Sequence, residues 1–145
     1  MDADLQHFSE LTKLRRLSVG RTELTDKCFE YLRGLSNLKD ISCRETKISF
    51  GELAKFMVDL RGNRLEQVID SCGGRISPDG QVGIGGQGRF CQLWNVSLRD
   101  EDLIRLATLP NIGSLLLNRN DLSDEGVAHL SDMKRLHQLL SLIHI

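Results

Sequence analysis

Apolar residues recur along this chain with two alternating periods. Around four anchors they fall on every second position: Leu17 and Val19, Ile41 and Cys43, Cys91 and Leu93, Leu115 and Leu117. A period of two predicts a short strand with one buried face. Further along each stretch the spacing widens to three: Phe29, Leu32 and Leu35; Leu53 and Phe56; Leu103, Leu106 and Leu109; Val127, Leu130 and Met133. That spacing predicts a short helix with one buried stripe. Between the two halves stand Leu24, Ile48, Leu98 and Leu122, each seven residues after its anchor. Short polar residues come next: Thr25 and Asp26, Ser49, Asp100, and Ser123 and Asp124. Their oxygens can accept the free amides of a helix start. One unit is therefore strand, turn, short helix and return.

The unit repeats. Leu17 and Ile41 are 24 residues apart, as are Cys91 and Leu115. A fifth unit fits between these pairs, on Leu65 and Val68. A lone strand and short helix cannot bury a face, so the units are expected to stack side by side. Thr22, Thr46 and Asn120 share one turn position, where a polar side chain can bond the backbone of the neighbouring turn. Val96 holds that position in the fourth unit and breaks the series. The pattern LxxLxLxx(N/T)xL followed by (T/S)DxxLxxL resembles the leucine-rich-repeat family. The 24-residue spacing and the form TxLTDxxFxYLxxL resemble bacterial, planctomycete-type repeats. They are also similar to the cysteine-containing repeats of F-box substrate receptors, whose second cysteine before the next strand is missing here. The resemblance covers residues 2–72 and 89–138. It implies an α/β fold: a right-handed solenoid, or horseshoe segment, with parallel concave strands, short convex helices and a protein-binding concave face. The expected core is Leu17, Val19, Leu24, Ile41, Cys43, Ile48, Leu93, Leu98, Leu115, Leu117 and Leu122.

On this reading residues 1–145 form a single leucine-rich-repeat domain of about five units. Residues 2–14 match 124–136, so the chain opens in the helix half of a unit. Leu139 begins a sixth strand on schedule, and residues 141–145 then leave the pattern. A segment of a longer array, with a non-native tail at 141–145, is the expectation. Residues 73–88 hold seven of the 13 glycines, too many for a helix. A loop or hairpin replacing one convex helix is expected there, with Ile76 facing Val82 and Ile84 across Pro78, Asp79 and Gly80.

Composition narrows the chemistry. Nineteen basic and 20 acidic residues give a formal net charge of −1, without the basic stripe of a nucleic-acid binder. No apolar run reaches 18 residues and the first residues lack a signal-peptide layout, so a cytoplasmic protein with no membrane or nucleic-acid partner is expected. Cys28, Cys43, Cys72 and Cys91 are scattered, with no CxxC pair, which argues for reduced core thiols and no metal. Gly83, Gly85 and Gly88 match G-x-G-x-x-G, and a nucleotide-binding or catalytic element on residues 83–88 is the alternative reading. A strand follows the motif where a helix start would be needed, and no Walker lysine is present. Asp26, Asp100 and Asp124 are expected to cap helices, and His7 and His129 to lie on an exposed helix flank. No catalytic residue and no cofactor is expected.

The outward strand positions carry the functional expectation. One row holds Arg16, Asp40, Gln67, Phe90 and Ser114; the next Ser18, Ser42, Ile69, Gln92 and Leu116; the third Gly20, Arg44, Ser71, Trp94 and Asn118. Trp94, Phe90 and Leu116 would form an apolar patch beside Arg44, with Arg16, Gln92 and Asn118 around it. Tryptophan and arginine are frequent interface anchors. The competing arrangement has the glycine-rich loop folded over Trp94. A protein-recognition module binding its partner on the concave face is the expected function.

Overall fold

The computed structural model describes residues 2–77 and 88–140. The contacts divide the chain into two compact units, Met1–Cys72 and Gly73–Ile145.

In the first unit a 3-10 segment, Asp2–Phe8, precedes β1 (Arg16–Ser18), α1 (Cys28–Leu32), β2 (Asp40–Ser42), α2 (Phe50–Ala54) and α3 (Leu65–Ser71). Strands β1 and β2 pair in parallel, Leu17 opposite Ile41. The alternation read from the sequence places Ile41 and Cys43 inside, along with Val19. Leu17 is only half-buried, a correction to the expected core. It sits on β1, the edge strand of a two-stranded sheet, so one flank of its side chain has no neighbouring strand. Helix α2 runs on through a π-helical turn, Lys55–Asp59, whose Phe56 stacks on Phe29 of α1 with ring centroids 4.8 Å apart. The Arg61 guanidinium lies over Phe56 and donates to the carbonyls of Leu32, Arg33 and Leu35 at 3.2, 3.2 and 2.6 Å. The Leu32 and Leu35 carbonyls also accept the amides of Leu35 and Leu38, at 3.1 and 3.0 Å, so Arg61 adds a second donor to each.

Residues 65–71 form a helix and not the expected fifth strand. Leu65, Val68 and Ile69 lie on one helical stripe, and Val68 and Ile69 are fully buried. Glu66 and Gln67 favour helix, and the Gln67 Oε1 accepts the Arg64 amide at 2.9 Å. The outward strand positions assigned to Gln67, Ile69 and Ser71 are therefore withdrawn; Ile69 is core.

In the second unit β3 (Arg75–Ile76), β4 (Arg89–Gln92), β5 (Ile112–Leu116) and β6 (Gln138–Leu140) form one sheet, with α4 (Asp100–Leu106) and α5 (Asp124–Ala128) in the connections. Strands β4, β5 and β6 are parallel, with Cys91 opposite Leu115 and Leu115 opposite Leu139. Where a run of about five parallel strands was expected, the described residues hold two parallel strands in the first unit and three in the second. Strand β3 is antiparallel, with Ile76 opposite Cys91. Ile76 thus pairs with a repeat strand; Val82 and Ile84, its expected partners, lie outside the described residues, as do 141–145. Cys91, Leu93, Leu98, Leu115 and Leu117 are all inaccessible.

The repeat is also written in the backbone. Arg21, Glu45, Asn95 and Arg119 occupy the same position after their strands, and all four have φ between 53° and 59°. None is glycine, so each turn holds an L-residue in the left-handed region. The register across the turns is kept by backbone bonds such as Arg21 N to Arg44 O at 2.9 Å and Asn95 N to Asn118 O at 3.1 Å.

Candidate functional site

Asp26, Asp100 and Asp124 were expected to cap their own helices. Asp26 and Asp100 instead reach into the next repeat, as Asp2 also does. Asp2 accepts the Thr25 amide and hydroxyl, both at 2.8 Å. Asp26 accepts the Ser49 amide at 2.7 Å and hydroxyl at 2.9 Å. Asp100 accepts the Ser123 amide at 2.9 Å and hydroxyl at 2.6 Å. These bonds hold the Asp100 carboxyl below the usual carboxylate range. The serines do cap: Ser49 Oγ accepts Glu52 N, and Ser123 Oγ accepts Gly126 N. The carboxylates thus serve as inter-repeat ties, which accounts for them without acid–base chemistry. Asp102, buried at the start of α4, accepts the Arg99 amide at 2.9 Å, and burial pushes its carboxyl up.

The turn ladder is partly as expected. Asn120, buried, accepts the amides of Val96 and Leu98 at 3.1 and 3.2 Å and donates to the carbonyls of Leu93 and Leu117 at 2.8 and 3.0 Å. It serves the turn that Val96 leaves unserved. Thr22 and Thr46 are shorter and bond only within their own turns: they donate to the carbonyls of Val19 and Cys43 at 2.7 Å, and Thr46 also accepts the Ile48 amide at 3.4 Å. The expectation that they tie neighbouring turns is corrected.

The four cysteines are thiols, and Cys28, Cys43 and Cys91 are buried. Burial pushes the Cys28 and Cys43 thiols up to about 12, far from the range of a nucleophilic thiolate. His7 and His129 are both exposed. Among the described residues no group of histidines, cysteines and carboxylates could hold a metal ion, and no helix is long and apolar enough to cross a membrane. Gly83 and Gly85 lie outside the described residues. Gly88 does not need a phosphate to explain it. Its φ is +111°, and a Cβ there would meet the Asn111 carbonyl at 2.8 Å, so the glycine allows β4 to lie beside the next strand.

The seven residues expected at the binding face divide between the units. Phe90, Gln92, Trp94, Leu116 and Asn118 belong to the second. Phe90 and Gln92 alternate with the inward Arg89 and Cys91, and Gln92 lies opposite Leu116. Trp94 continues the same face and is 54% exposed. The Arg119 guanidinium lies over its ring, 5.2 Å from the centroid, a contact the sequence reading missed. Ser114, expected on this face as an outward residue, is instead fully buried, and neither its hydroxyl nor the neighbouring Gln138 Oε1 finds a partner. Arg16 and Arg44 belong to the first unit, where they pair with Asp40 at 3.1 Å and Asp70 at 3.2 Å. They line a groove of about 660 Å³ with Ser18, Ser42 and Gln67.

No family model matches the chain, and no curated protein matches it. Among solved structures the chain is similar to an internalin from Listeria monocytogenes, at 20% identity and a TM-score of 0.43. The match covers 97% of this chain and 38% of the internalin chain, so this chain spans well under half of that protein.

Proposed function

We propose that the chain is a segment of a right-handed leucine-rich-repeat solenoid that recognises a protein partner on the open, concave face of its strands. Trp94 carries this reading. It stands more than half exposed on the face shared by Phe90, Gln92 and Leu116. An apolar patch kept open on a sheet face is the usual mark of a docking site, and tryptophan is enriched among the anchors of such sites. The stacked, raised-pKa and carboxylate-tied groups elsewhere are accounted for by the fold, which supports recognition over catalysis.

The experiment compares two exposed apolar residues of the same unit. Ile104 is 53% exposed on α4, in the helix layer. With a partner selected on the wild-type chain from a displayed protein library, Trp94→Ala is expected to weaken binding by about 2 kcal/mol or more. Ile104→Ala is expected to leave it unchanged. Loss of binding with Ile104→Ala alone would place the docking surface on the helices and contradict the proposal.

A further inference from the structure

Charges on neighbouring repeats of the first unit neutralise one another. Arg16 pairs with Asp40, Arg21 with Glu45 at 3.4 Å, Lys47 with Glu23, and Arg44 with Asp70. The second unit departs from this at matching positions. Asn95 stands where Arg21 stands, and Arg119 where Glu45 stands; all four share the same left-handed turn. The cation has moved to the other side of the pair and its carboxylate is gone. Among the described residues no carboxylate lies within ion-pair distance of Arg119. Asp121 lines the same hollow of about 260 Å³ without pairing with it, and Arg99 there is 3.9 Å from Glu101.

A second cation stands nearby. Arg75 of β3 is exposed and lies opposite Gln92 in the antiparallel pair. Residues directly opposite in such a pair project to the same face, so Arg75 emerges beside Gln92, on the face that Trp94 continues. It too has no carboxylate partner among the described residues. Among the described residues, one guanidinium without a carboxylate partner thus lies over the exposed tryptophan, and another emerges on the same face beside Gln92. The Arg119 guanidinium lies over the indole, 5.2 Å from its centroid, and a guanidinium has edge donors that suit a carboxylate fork. Two cations on a chain of net charge −1 are too few to track a nucleic-acid backbone.

We infer that the partner presents an acidic peptide segment, with aspartate or glutamate beside an apolar residue, to Arg75, Trp94 and Arg119. This rests on the recognition reading above and narrows the partner's chemistry.

Trp94 is the single tryptophan of the chain, so its fluorescence reports the site directly. The test titrates the full chain with a short synthetic peptide alternating glutamate and leucine, and with a lysine–leucine peptide of equal length. The glutamate peptide is expected to shift the Trp94 emission saturably, and the lysine peptide to leave it unchanged. Arg75→Glu combined with Arg119→Glu should weaken the glutamate peptide tenfold or more and admit the lysine peptide; Arg16→Glu should do neither. Equal response to both peptides would overturn the acidic assignment while leaving the face as a recognition surface. A response to neither would also overturn it, and the Trp94 and Ile104 comparison would then decide the recognition reading on its own. A stronger response to phosphatidylserine vesicles or to a single-stranded oligonucleotide than to the glutamate peptide would overturn it in favour of a phosphate ligand.

Discussion

Asp26 and Ser49 stand 23 residues apart, yet one carboxylate takes both the amide and the hydroxyl of the serine, at 2.7 and 2.9 Å. Removing such an acceptor leaves a part-buried amide unpaired, which costs about 1–3 kcal/mol. Asp26→Ala should therefore destabilise the chain by about that much in urea unfolding. Phe50, which takes the equivalent place in the next repeat, is packed in the core; no carboxylate tie starts from it. Loss of only a few tenths of a kcal/mol in Asp26→Ala would show that the tie is solvent-screened.

Asp100 and Asp102 should respond to acid with opposite signs. Asp100 has its carboxyl held below the ordinary value of 3.8 by the Ser123 bonds, so it contributes stability above that value. The contribution is lost as pH falls through the lowered folded value. Asp102 is raised by burial, so its ionised form costs stability at neutral pH, and the cost is relieved as pH falls through the raised value. At neutral pH Asp100→Asn should lower the urea midpoint and Asp102→Asn should raise it or leave it. Both differences should shrink as the pH is taken below the ordinary carboxylate value.

Asn120 makes four bonds to buried backbone groups of two turns. Asn120→Ala should cost about 3 kcal/mol, since buried groups lose their partners without access to water. Asn120→Thr should fall between, because threonine at this position reaches only its own turn, as Thr22 and Thr46 do. Equal stability of the threonine and asparagine forms would contradict the role of the cross-turn bonds.

Gly126 and Gly34 provide a paired test of packing. A Cβ on Gly126 would overlap the Asp100 carboxylate, whereas one on Gly34 meets nothing within 4 Å. Gly126→Ala should displace the Asp100–Ser123 tie and strongly destabilise the second unit, measured by thermal unfolding. Gly34→Ala should stay within about 0.5 kcal/mol of wild type.

Leu117→Ala should cost about 2–5 kcal/mol, from lost transfer energy and the cavity left behind. Leu17→Ala should cost less, because Leu17 is half-buried at a sheet edge.

These residues also show how much of the molecule its sequence exposes. The strands and helices around Leu17, Ile41, Cys91 and Leu115 are legible because burial imposes periods of two and three on the apolar residues. The left-handed turns at Arg21, Glu45, Asn95 and Arg119 are not, because no glycine marks them and the backbone bonds across the repeats impose them. The Asp26 and Asp100 ties look like ordinary helix caps until the neighbouring serine is placed beside them. At 65–71 the apolar spacing of Leu65, Val68 and Ile69 already suits a helix, but the repeat register favoured a strand there. The exposed Trp94 follows from alternation along one strand. The Arg119 guanidinium over it depends on the turn between strands, which no periodicity encodes.

The most direct test of strand-face recognition is hydrogen exchange of the second unit, with and without a bound protein partner selected on the wild-type chain. The account predicts new protection at residues 92–95 and 116–119, in the segments that bear Trp94, Leu116 and Arg119, with no change in α4 and α5. Protection confined to Asp100–Leu106 and Asp124–Ala128, with the Trp94 segment unchanged, would contradict it.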